Sequence, residues 1–101
     1  MKAIEQEMLR AIFNNKEHWS KDNTSIERED LPDEVSHYHV YLHGNHIATV
    51  AHKHMRTLSV IADENTLQDY PTVTTKSRLR ALGVNVYTKA YTTYLDGEPI
   101  N

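Results

Sequence analysis

Apolar positions first fall at helical spacing: Ile4, Met8, Ala11 and Ile12 recur every three or four residues, Leu9 and Phe13 widen the stripe, and Lys2, Glu5, Glu7 and Arg10 sit between them. A period near 3.6 gathers such residues on one side, so the spacing predicts an amphipathic helix over residues 2–14. Asn14-Asn15 supplies its stop, because Asn tolerates the left-handed backbone that closes a helix. Residues 16–35 are polar and carry a Leu31-Pro32-Asp33 turn signal, which reads as loop around one short strand at 24–28.

At Ser36 the period changes to two. Gly44-Asn45 lies between two β-rich runs and reads as a two-residue hairpin turn. That register pairs His43 with His46, Leu42 with Ile47, and Val40 with Thr49. Tyr38, Val40, Leu42, Ile47, Thr49 and Ala51 then form the core face, and His37, His39, Tyr41, His43, His46, Ala48 and Val50 the other. A tight connection through His52-Lys53-His54 leads to a third strand at 56–62. Residues 63–70 read as loop, followed by a short helix near 75–82 that starts after threonines, is anchored by Leu79 and Leu82, and stops at Gly83. A long β-like run at 84–95 meets the hairpin signal Asp96-Gly97 and a Pro-containing edge segment, Glu98-Pro99-Ile100. The order predicts an α+β fold: an antiparallel sheet of four to six strands, a β-meander plus a C-terminal hairpin, packed by the N-terminal helix and the short helix.

A chain of 101 residues has apolar area for one core, so residues 1–101 are expected to form a single domain. The apolar share of 39% is low, which makes that core thin and favours a partner or self-association. Cysteine is absent, which excludes disulfides, thiolate metal sites and a cysteine nucleophile. There is no signal-peptide pattern and no apolar run approaching the ~20 residues of a membrane span, so the expected location is the cytoplasm, with no membrane partner.

The net charge of −3 conceals a segregation. Residues 1–35 carry nine acids against five bases, whereas residues 36–62 carry Lys53, Arg56 and six of the seven histidines with no acid. Alternation and cross-strand pairing bring His39, His43 and His46 within reach of one divalent ion, with His37 as a fourth ligand candidate. A wet sheet face with no ligand role accounts for the same histidines. A second group, Lys76, Arg78 and Arg80 on the short helix with Lys89, Tyr87, Tyr91 and Tyr94 nearby, combines phosphate-neutralising cations with stacking surface and is the nucleic-acid alternative. No nucleophile-base-acid arrangement, paired-carboxylate motif or glycine-rich phosphate loop stands out, so no catalytic residue, enzyme activity or cofactor is expected.

The segments Val40-Tyr41-Leu42-His43-Gly44-Asn45-His46-Ile47-Ala48, Thr57-Leu58-Ser59 and, most specifically, Thr74-Thr75-Lys76-Ser77-Arg78-Leu79 follow one another in an order that resembles small accessory proteins of tailed bacteriophages over roughly residues 23–97. The closing strand of that group is richer in Phe and Trp than the Tyr87, Tyr91 and Tyr94 found here. The resemblance implies a phage-encoded protein acting in the host cytoplasm, and carries no chemistry. Such small accessory proteins often bind and redirect a host protein, so binding to a host or phage protein, with host takeover, is the leading expectation, and a homo-oligomer a further one.

Overall fold

The structure, a computed structural model, describes residues 1–100. Its elements are α1 (Ala3–Phe13), β1 (His18–Lys21), β2 (Thr24–Asp30), β3 (Ser36–Leu42), β4 (Asn45–Lys53), β5 (Arg56–Ala62), α2 (Glu64–Asp69), α3 (Val73–Ala81), β6 (Val86–Lys89), β7 (Thr92–Leu95) and β8 (Glu98–Pro99), with one 3-10 turn at Pro32–Glu34. The fold is α+β, as the periodicities predict. The strands form two antiparallel sheets: β1 to β5 in chain order, and a separate β6-β7-β8. Three helices pack on the large sheet, α1 on β1 and β2, α2 and α3 on β4. Beneath them lies one core, in which Met8, Ala11 and Ile12 meet Ile26, Tyr38, Val40, Val50, Leu67 and Leu79. The opposite face of the large sheet is half-buried polar surface.

The hairpin turn lies one residue earlier than the sequence suggests. His43 and Gly44, at φ +51° and +79°, are the turn residues, and Leu42 pairs with Asn45. Two consecutive positive-φ residues are what a primed turn requires, and glycine accepts that conformation without penalty. The register then slips: Tyr41 pairs with His46 and Val40 with Ala48, leaving Ile47 as the extra residue of a bulge. The bulge keeps Ile47 inward while reversing everything after it. Ala48, Val50 and His52 are buried in the core, and Thr49 and Ala51 lie beside the histidines on the open face.

Three further differences have local causes. Residues 16–35 hold two strands, since β1 pairs with β2 along His18↔Glu27 to Lys21↔Thr24 around Asp22, whose φ is +53°. Residues 63–70 contain α2, started by the Asp63 carboxylate accepting from the Thr66 amide at 3.1 Å. The run at 84–95 is broken by a turn at Ala90-Tyr91, both at positive φ, into β6 and β7.

Candidate functional site on the open face of the sheet

The open face is built by strand alternation. Glu27 and Glu29 of β2 stand opposite His39 and His37 of β3, which in turn stand opposite Thr49 and Ala51 of β4. Side chains of opposed residues share a face, and here they form a continuous chain. Glu29 Oε1 lies 2.9 Å from His39 Nε2, and His39 Nδ1 lies 3.0 Å from Thr49 Oγ1. Thr49 Oγ1 is 2.9 Å from His46 Nε2, and His46 Nδ1 is 2.8 Å from Asp63 Oδ2. The His46 bond, joined by that from the Thr66 amide, outweighs burial and holds the Asp63 carboxyl below its ordinary range. His37 stands edge-on to His39 with ring centroids 6.2 Å apart, and Tyr41 packs against His46 at 5.5 Å.

Of the histidines singled out from sequence, His37, His39 and His46 share this face, while His43 is exposed in the turn and leaves the group. The pairing of His43 with His46 does not form, because His43 is itself a turn residue and His46 pairs with Tyr41. Sequence reading missed the acids. Glu29 lies one residue beyond the strand read at 24–28, in the part of β2 read as loop, and Asp63 comes from beyond the meander. Within 36–62 the cluster looked acid-free because its carboxylates come from neighbouring segments.

The basic helix is also divided. Arg78 is buried rather than presented to solvent: its Nη1 lies 2.7 Å from Glu5 Oε2, its Nε 3.1 Å from Thr24 Oγ1 and its Nη2 3.4 Å from Asn23 Oδ1. Ser77 Oγ donates to the same Glu5 oxygen at 2.6 Å. Side-chain exposures of 5% and 3% make Arg78–Glu5 an internal ion pair clamping α1, β2 and α3 together, so Arg78 drops out of the nucleic-acid set. The signal for it lay in α1, where Glu5 precedes Met8 by three residues and Ile12 by seven and so falls on the buried stripe. Arg80 is exposed and donates to the Val86 carbonyl at 3.2 Å, and Lys76 donates to Thr88 Oγ1. Lys89 is exposed, Tyr87 stacks on Tyr94 with centroids 5.1 Å apart, and Tyr91 stands 98% exposed at its turn.

The two edges of the large sheet differ in character. β1 is four residues long and carries His18 and Lys21, the short, charged form that discourages strand addition. β5 is seven residues long, with Arg56 as its one charge. Leu58 and Ile61 are 48% and 68% exposed on it, and Met55 just before it is 70% exposed.

No helix among the described residues is long and apolar enough to cross a membrane. Comparison with curated proteins and with solved structures finds no match. The model of one family, described as Kyanoviridae Gp96 protein, matches residues 1–101. With the whole chain covered, and a phage origin already implied by the segment order, this chain belongs to the Kyanoviridae Gp96 family of bacteriophage proteins.

Proposed function

We propose that this phage protein is a non-enzymatic accessory factor that binds a host or phage protein and modulates it, and that β5 is the docking edge. The observation that carries this reading is the contrast between the two edges. An unpaired strand presents a row of backbone donors and acceptors to any extended segment. Here that row is flanked by exposed Leu58 and Ile61 and left without the charges that guard β1. The complementary partner is an extended stretch with apolar residues at alternate positions and an acid where it passes Arg56. The strand it would form extends the sheet to six.

The test is affinity purification from infected cells with the wild-type chain and with a Leu58→Lys/Ile61→Lys variant whose circular dichroism matches wild type. The expected result is one stoichiometric protein recovered by the wild type and lost by the variant. A partner recovered equally by both removes β5 from the reading. Recovery of nucleic acid instead, with an affinity falling by roughly one power of salt per phosphate contact, would replace the protein-binding reading with one built on Arg80, Lys89, Lys76, Tyr87 and Tyr91. Recovery of a second copy alone, seen as a dimer in sedimentation, would make the edge a homodimer contact.

A further inference from the structure

The open-face chain ends on two atoms that can each ligate a metal. His39 Nδ1 is engaged by Thr49 Oγ1 at 3.0 Å, which leaves Nε2 directed at Glu29 Oε1, 2.9 Å away. An imidazole nitrogen and a carboxylate oxygen held side by side on an open face are donor types that zinc accepts.

His37 completes the constellation. One ligand atom from each of Glu29, His37 and His39 lies within 4.8 Å of the other two. We propose that Glu29, His37 and His39 form a site for a divalent transition metal, with zinc the ion that best fits two imidazoles and one carboxylate. Zinc binds such atoms at about 2.0–2.2 Å and usually with tetrahedral geometry. The Glu29–His39 pair stands at 2.9 Å and all three atoms lie within 4.8 Å of one another, so the ligands must shift to reach that geometry, and the Glu29 side chain, 57% exposed, has the freedom to do so. Three protein ligands leave the fourth position to water or to a bound molecule. Thr49, His46 and Asp63 then act as the outer shell that fixes the His39 ring and its tautomer. This ligand set differs from a purely histidine one: it drops His43, assigns His46 to support, and adds an acid from β2.

The test uses the untagged full chain, stripped with a chelator and titrated with zinc by calorimetry, with melting temperature read in parallel. One zinc per chain is expected, with a melting temperature that rises with zinc at neutral pH by mass action. Cobalt as the probe should give the visible absorption of a low-coordinate site. Glu29→Gln and His37→Gln should each weaken zinc at least tenfold, and Thr49→Val should weaken it by about tenfold through loss of the outer shell. His43→Gln should leave it unchanged. Glu29 and His43 are exposed and His37 and Thr49 half-buried, and matching circular dichroism confirms that each variant is folded. No saturable binding, or binding that survives Glu29→Gln and His37→Gln, would overturn the site. In that case Glu29, His37 and His39 are a wet sheet face joined by hydrogen bonds alone.

Discussion

Glu5–Arg78 joins two helices over one face of the large sheet and Glu29–His39 joins two strands on the other, and the two acid–base contacts are finished to different degrees. On the covered face each Arg78 nitrogen has an acceptor, and both Glu5 oxygens have donors, Oε1 from the Lys2 amide and Oε2 from Ser77 and Arg78. On the open face the chain from Asp63 ends at the contact between His39 and Glu29, whose carboxylate side chain is 57% exposed. An unmet charge in the interior costs several kcal/mol, so the buried cluster had to be closed within the chain. Water relieves the exposed one, so it is free to remain open to a ligand.

The largest expected effect breaks the closed side. Arg78→Leu leaves the Glu5 carboxylate buried without its partner and should cost about 3–5 kcal/mol in urea denaturation. Replacing both residues by leucine should restore much of that loss, because no unpaired charge remains. If Arg78→Leu leaves stability intact, the clamp is not what holds the helices on the sheet. Burial works to raise the Glu5 carboxyl, but bonds from Ser77 and Arg78 outweigh it, so the net direction is down from 4.5. Its contribution is thus present above that value and lost as pH falls through the folded-state value.

A smaller effect concerns His52, which the bulge turns into the core against Phe13 and Tyr38, with its Nε2 buried and without a partner. Burial pushes its pKa below 6.5. The unfolded chain takes up a proton near 6.5 that the folded protein refuses, so stability is complete above that value and declines as pH falls towards the folded-state value. His52→Leu should abolish this decline and raise stability by about 1 kcal/mol at neutral pH. Melting curves across this range, wild type against variant, decide it.

The smallest effect sharpens the open side. Thr49→Val cuts the chain in the middle and should cost about 1 kcal/mol or less, since the site is half-exposed. The His46–Asp63 contact should persist while His39 loses its fixed tautomer, which nitrogen-15 spectra of the two rings would show. An unchanged His39 spectrum would mean that Thr49 does not orient it.

Much of the fold was legible where a period is sustained. The α1 stripe and the Tyr38-Val40-Leu42 alternation gave the correct elements and faces, and Asp96-Gly97 marked its turn. The failures are places where backbone conformation is set without the residues that usually announce it. His43 at φ +51° and Ala90-Tyr91 at positive φ carry no turn signature, so one hairpin moved by a residue and the other was not seen. The bulge at Ile47 is invisible to a strict period of two, and it alone decides whether Thr49 or Val50 faces the histidines. The candidate site was half legible: alternation collected its histidines, but Glu29 and Asp63 join them only through pairing and chain reversal.

The strand order of the large sheet sets a tempo as well as a shape. Every strand lies beside its neighbour in the chain, so the sheet can grow by closing short loops in succession, the arrangement associated with fast folding. The Arg78–Glu5 clamp is the opposite kind of contact, joining residues 73 apart. Its long loop is expected to close after the sheet and α1 have formed. Arg78→Leu should accordingly accelerate unfolding while leaving the refolding rate nearly untouched, which makes this one ion pair a latch on the lifetime of the folded chain rather than a guide to its assembly.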